Sequence, residues 1–281
     1  MTALGIIAGG GDLPIAVAES AAELGRDVFI VALKGSADAA VSRFPHDWSG
    51  IGEVGKTLKL LREHRCDEVI LVGRVARPKF SELKVDAKGL LLLPKVIAAA
   101  RKGDDALLKT LAASFDAEGF RTVGVRDAAP GLVAQEGVLG AHAPSTEHSE
   151  DIALAVRVVR RLGALDIGQA AAVCDGLVLA VEAAEGTDAM IARVAMLPEA
   201  IRGTSAKRRG VLVKALKPHQ DSKTDLPVIG LDTVRNVGAA GLAGIAIEAG
   251  RALIMKKREV IAAADAAGLF VIAFAPSDYS D

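Results

Sequence analysis

Apolar runs at residues 4–8, 28–33, 68–72 and 122–125 alternate with stretches of helical periodicity at about 14–24, 54–64, 91–102 and 105–118. Short apolar runs bounded by turn residues read as buried strands, and the 3.6-residue spacing between them as helices laid on the sheet. The order β-α-β-α predicts a Rossmann-like parallel sheet with helices on both faces and right-handed crossovers. Ligands of such a sheet belong beyond the carboxyl ends of its strands. From residue 127 the text DAAPGLVAQEGVLGAHAPSTEHS is rich in Gly and Pro and lacks a clear period, as a domain connection does. Domains are therefore expected at 1–131 and 146–281, with a linker at 132–145. In the second domain, Thr146 or Ser149 is expected to cap a helix through ALAVRVVRRLG. Strands at 169–173, 177–182, 211–216 and 269–274 then mix with helices near 187–197, 232–241 and 257–267, giving a less regular α/β domain.

Composition narrows this picture. The 281 residues are 51% hydrophobic but only 3% aromatic, so the cores must be built of Ala, Val, Leu and Ile, which favours α/β layers over an all-β sandwich. A formal charge of -1 supplies no basic footprint for nucleic acid. Cys66 and Cys174 lack the CxxC spacing of a zinc site, and five scattered histidines offer no metal-binding pair, so zinc is not expected. No signal peptide opens the chain, which suggests a cytoplasmic protein in a reducing compartment. The most apolar long stretch, 237–255, contains Glu248, Arg251 and four glycines and fails as a spanning helix. A soluble protein, at most touching a membrane surface, is expected.

Five segments carry candidate chemistry. In GIIAGGGDLP, residues 5–14, glycines follow a strand and precede a helix opened by Pro14. Gly9, Gly10, Gly11, Asp12 and Leu13 would let a phosphate or uridine approach the backbone and the N–H groups of the helix start. A dinucleotide fingerprint fails, because Pro14 stands at the third glycine position and the second strand ends at Leu33 and Lys34 without an acidic residue; NAD is not expected. Gly50 to Thr57, GIGEVGKT, satisfies the GxxxxGK[ST] phosphate-loop pattern, yet FPHDWS before it does not read as a buried strand. A glycine-containing helix start is the plainer reading. Glu182, Glu185 and Asp188 lie at the end of the strand GLVLAVE, where carboxylates can share a divalent cation or, with Thr187, cap the next helix. Asp104 and Asp105 precede another helix, where capping is again the plainer reading. In VLVKALKPHQDSKTDLPVIGLDT an apolar run ends and Lys214, Lys217, Asp221, Lys223, Asp225 and Asp232 follow in one connection, either a solvated loop or a site for metal-assisted phosphate chemistry.

GIIAGGGDLP, LVGRVARPKF, VEAAEGTDAM and KPHQDSKTDLP together resemble the UDP-2,3-diacylglucosamine diphosphatase family of the LpxI type, nearly from end to end. The resemblance implies Mg2+-dependent hydrolysis of the pyrophosphate of UDP-2,3-diacylglucosamine by water attack on the β-phosphorus. The products are UMP and the diacylglucosamine 1-phosphate called lipid X, in lipid A synthesis. It implies that Asp225, in QDxxxDLP, is the essential aspartate, as metal ligand or as the base that orients water; Asp221 joins it, and Lys214 and Lys217 would stabilise phosphate charge. Metal ligands are expected at Asp225, Asp188 and Glu182, and substrate contacts at Gly9, Gly10, Gly11, Asp12, Leu13, Asp104, Asp105, Thr187, Gln220 and Thr224. Lys223 departs from the arginine of many members. The site is expected in the cleft between domains of a homodimer, cytoplasmic and peripheral on the inner membrane. The alternatives are a phosphate-loop nucleotide hydrolase or kinase, or a non-catalytic sugar-nucleotide or lipid binding module. The helix KVDAKGLLLLPKVIAAARKG, 84–103, carries an apolar run between basic ends. It is either a core helix or, given an acylated substrate, a rim that meets anionic lipid.

Overall fold

A computed structural model describes residues 3–76, 83–217 and 226–279, the side chains of Asp104 and Asp105 excepted. The chain separates into two compact units, up to Gly131 and from Leu132 onward. In the first, β1 (Ala3–Ala8), β2 (Val28–Leu33), β3 (His46–Ser49), β4 (Cys66–Val72) and β5 (Arg121–Thr122) form a parallel sheet in the order β3-β2-β1-β4-β5. Its helices are α1 (Leu13–Glu23), α2 (Val54–Glu63), α3 (Ala87–Ala100), α4 (Asp104–Ala117) and α5 (Val125–Ala128). Strand β1 is central and buried on both faces, which is why its sequence is continuously apolar. Phe29, Val31, Leu58, Leu61, Val69, Phe115 and Phe120 close one face of the sheet under α2 and α4. Gly5 makes this packing possible, since a Cβ there would stand 2.4 Å from Leu61 Cδ2. Strand β3 is a departure from expectation: HDWS is a polar edge strand paired to β2 alone, so it lacks the apolar signature of its neighbours.

The second unit contains β6 (Gly137–Val138), α6 (Thr146–Ala164), β7 (Ala170–Cys174), β8 (Leu177–Val181), α7 (Thr187–Ala195), α8 (Glu199–Arg202), β9 (Val211–Lys214), β10 (Val228–Ile229), α9 (Leu231–Ala239), β11 (Gly244–Glu248), β12 (Leu253–Ile254), α10 (Lys257–Ala266) and β13 (Phe270–Phe274). Its main sheet runs β6-β13-β11-β9-β7-β8, with β9, β11 and β13 parallel and the outer strands antiparallel; β10 and β12 pair separately. On one face α6 packs Ile152, Ala155, Val156 and Val159 against Val173, Val211, Val213 and Ala246. On the other, Met190, Ile191, Val234, Val237 and Val260 meet Leu212, Ile245, Ile247 and Val271.

Two expectations change here. Residues 132–145 are not a linker but part of the second unit: Ala134 exchanges backbone hydrogen bonds with Ala252 and Gly250, Leu139 N–H donates to Val271, and β6 pairs with β13. The cap of α6 is Ser145, one residue before the expected Thr146, in a capping box whose third helical residue is His148. Among the described residues no helix is long and apolar enough to cross a membrane.

Candidate active site

In the first unit the chain winds from β1 to β2 and β3 on one side, then returns to β4 and β5 on the other, so the strand order reverses between β1 and β4. At such a reversal the loops diverge and leave a crevice beyond the carboxyl ends. Gly9 to Asp12 follow β1, and Gly73 and Arg74 follow β4. Gly9 has no room for a side chain, because a Cβ would lie 2.5 Å from the Arg74 carbonyl oxygen. Gly10 N–H donates to Arg74 O at 2.8 Å, and Arg74 N–H returns to Gly10 O at 2.8 Å. Gly11 is held at φ +89° with the Arg74 guanidinium beside it, and its N–H donates to Asp38 Oδ2 at 2.6 Å. The expected open glycine donors are therefore already engaged within the chain. Ala16 N–H closes the first turn on Asp12 O. That leaves the N–H groups of Asp12, Leu13 and Ile15, with the Arg74 guanidinium, as the donors at the helix start. Of these, Asp12 and Arg74 line a cavity of about 520 Å³, together with Gly10, Gly11, Gly35, Ser36 and Asp38. A larger cavity of about 750 Å³ lies at the opposite, amino ends of the strands, beside Ala3, Asp27 and Phe29. The smaller one is the better candidate because helix dipole and cation converge there.

The phosphate-loop pattern at Gly50 has, after all, a strand before it and α2 after it. It is nonetheless closed to phosphate. Asp86 Oδ2 accepts from Lys56 N–H at 3.1 Å in the first turn of α2, while its Oδ1 accepts from Gly89 N–H at 2.8 Å at the start of α3. Glu53 Oε2 accepts from Gly50 N–H at 2.6 Å, which with Lys34 holds its carboxyl below the usual range. The Lys56 ammonium turns back to the Trp48 carbonyl at 2.6 Å. Carboxylates of the chain itself thus fill the seat an anion would take.

In the second unit, Lys214 ends β9 and is 5% exposed; its Nζ donates to Val228 O at 3.0 Å. Lys217 Nζ pairs with Asp166 Oδ1 at 2.8 Å. Glu182, 6% exposed, follows β8; it accepts Gln169 N–H at 3.1 Å and the Thr187 hydroxyl at 2.7 Å. Thr187 therefore does not cap α7, whose cap position is Gly186 at φ 81°. Asp188 instead accepts from Asn236 Nδ2 at 3.0 Å, tying α7 to α9. Glu185 is kept below the usual carboxylate range by a backbone N–H and the Arg193 guanidinium. Gly103, not an aspartate, occupies the cap of α4, whose first residues are Asp104 and Asp105. Gln220, Asp221, Thr224 and Asp225 lie outside the described residues.

Sequence reasoning passed over Arg74, Asp38 and Glu248. Glu248, 2% exposed at the carboxyl end of central β11, accepts from Leu216 N–H at 3.2 Å and pairs with Arg251 at 3.4 Å and Arg160 at 3.8 Å. It fixes the chain as it leaves Lys214. A charged residue ending an otherwise apolar strand was its available signal.

Family models for the LpxI N-terminal domain and the LpxI C-terminal domain match residues 3–132 and 135–272. The chain belongs to the LpxI family. A relative of that family from Caulobacter vibrioides, named UDP-2,3-diacylglucosamine pyrophosphatase LpxI, is 50% identical over 278 residues, 99% of either chain. Among solved structures, CobK precorrin-6A reductase aligns with 98% of this chain and 88% of its own at 13% identity and a TM-score of 0.28, too low to carry an argument.

Proposed function

We propose that this chain hydrolyses the pyrophosphate bond of UDP-2,3-diacylglucosamine, releasing UMP and 2,3-diacylglucosamine 1-phosphate for lipid A synthesis. What carries the reading is 50% identity, over 99% of both chains, to a pyrophosphatase named for that substrate. The crevice at Gly10 to Asp12 supports it, since a helix start beside Arg74 suits the nucleotide phosphate. Asp225 orients or deprotonates the attacking water, with Asp221 beside it in sequence, and Gln220 and Thr224 contact substrate. Lys217 and Lys214 stabilise charge on the β-phosphoryl group as UMP leaves. A requirement for a divalent cation belongs to the proposal. Glu182 and Asp188, as placed, are engaged by Gln169, Thr187 and Asn236. Among the described residues no group of three or more His, Cys, Asp or Glu could hold a metal ion. No step is therefore assigned to a metal held by those two residues. A homodimer is part of the same proposal and is checked by sedimentation.

The test presents purified protein with UDP-diacylglucosamine, ATP and NADH in turn, with and without magnesium. UMP should appear from the first alone, and turnover of ATP instead would overturn the reading. In heavy-oxygen water a single turnover should label the diacylglucosamine 1-phosphate; label in UMP would mean attack at the α-phosphorus. Asp225→Asn should abolish most turnover while the fold persists.

A further inference from the structure

Helix α3 is the most apolar described helix of the first unit by sequence, yet it buries little of that character. On α3 only Gly89, Ala99 and Ala100 are buried, while Leu90 is 60% and Leu91 75% exposed. At about 100° per residue, Leu90, Pro94, Ala87, Ala98, Leu91, Lys95 and Lys88 fall in that order around one arc of α3, and Arg101 and Lys102 follow in the turn at its end, all of them exposed. Its middle is apolar, its basic residues gather mainly along one side, and it contains no acidic residue. The expectation of a core helix fails here: half-buried Leu92, Leu93, Val96 and Ile97 face inward and the leucine pair faces out. Lys88 is bridged to Glu118, but Lys95, Arg101 and Lys102 have no ion-pair partner among the described residues.

We propose that this face of α3 docks the protein onto an anionic phospholipid surface, the leucines entering the interface and the cations meeting head-group phosphates. An apolar arc bordered on one side by lysines matches what interfacial helices present to lipid. A second copy of the chain fits less well, because an antiparallel two-fold contact along this edge would set the basic row of Lys88, Lys95 and Lys102 against the same row of the other copy. The inference stands on the helix alone and does not depend on the reaction proposed above.

Flotation of the full chain with vesicles of phosphatidylcholine, and of phosphatidylcholine with 30% phosphatidylglycerol, tests it without substrate. Binding should require the anionic lipid and weaken with salt. Leu91→Ser should lower the partition coefficient about tenfold, and Lys95→Glu with Lys102→Glu several-fold or more. Both sites are exposed, so urea unfolding followed at Trp48 should be unchanged and binding losses cannot be laid to misfolding. Failure to float on anionic vesicles, or flotation indifferent to Leu91→Ser, would overturn the proposal. So would self-association that Leu91→Ser abolishes in a protein that never binds vesicles. None of these outcomes bears on whether UMP is released.

Discussion

Alanine at Gly9 would put one methyl group where the ends of β1 and β4 nearly touch. The added Cβ would stand 2.5 Å from Arg74 O and 2.8 Å from Gly73 C and O, while ordinary contact begins at 3.4 Å, so the backbone must yield by about 0.9 Å. Neither strand end moves easily, since Gly9 N–H is bonded to Val72 O and the reciprocal Gly10–Arg74 pair locks the other side, each at 2.8 Å. Overpacking costs about 1–3 kcal/mol, and weakening of one or two hydrogen bonds about 1 kcal/mol each. Gly9→Ala should therefore lose about 2–5 kcal/mol by these estimates and displace Arg74 from the crevice. Gly11→Ala is the control. It meets only the Arg74 guanidinium, at 3.6 Å, but must hold φ +89°, which costs about 1–2 kcal/mol. Trp48 is the only tryptophan and lies in β3, so its fluorescence in urea reports the first unit alone. A Gly9→Ala protein as stable as the parent, or less harmed than Gly11→Ala, would refute the close-approach argument.

Other outcomes follow from the same geometry. Asp86→Ala frees the first turns of both α2 and α3 from one carboxylate, so the Trp48 transition should fall by about 2 kcal/mol, the worth of two caps; an unchanged midpoint would refute the double cap. Lys56→Ala should leave turnover within a few-fold and ATP affinity undetectable, because its ammonium serves Trp48 and Asp47; a collapse in rate at normal stability would restore the phosphate-loop reading. The thiols of Cys66 and Cys174 are each pushed up to about 11, first by burial and then by Asp67 and Asp175 respectively. At pH 8 they should resist alkylation in the folded protein and react in urea, and rapid labelling of the native state would contradict their placement.

Much of the layout was legible because the first unit obeys simple periodicities. The runs at 4–8, 28–33 and 68–72 became β1, β2 and β4 since each is buried on both faces and bounded by glycine or charge. The principle that revealed them also concealed β11. Residues 244–248 are buried at every position and sit in a longer apolar stretch, so neither alternation nor a boundary distinguishes them from helix. Strand β3 was hidden for the opposite reason, being polar and at an edge. In the site, residue type pointed to the glycine loop and Glu182 but not to their partners. That Asp38 takes the Gly11 N–H, or that Asp86 takes the Lys56 N–H at the start of α2, depends on segments 27 and 30 residues distant. Thr187 shows the converse, a local pattern that suggested a cap and folded into a hydroxyl donated to Glu182.

The antiparallel pairing of β6 with β13 has a mechanical consequence. These are the first and last strands of the second unit, so the chain arrives and departs at one edge of that sheet. Tension applied to the two ends would peel the short β6 ladder open bond by bond, since antiparallel bonds lie perpendicular to the strands. The first unit begins instead with central β1, clamped between parallel β2 and β4, and its far end follows the edge strand β5. Load there runs along the strands and must shear two ladders at once. Stretched from its termini, as during threading into a protease, the chain would yield at the second unit first.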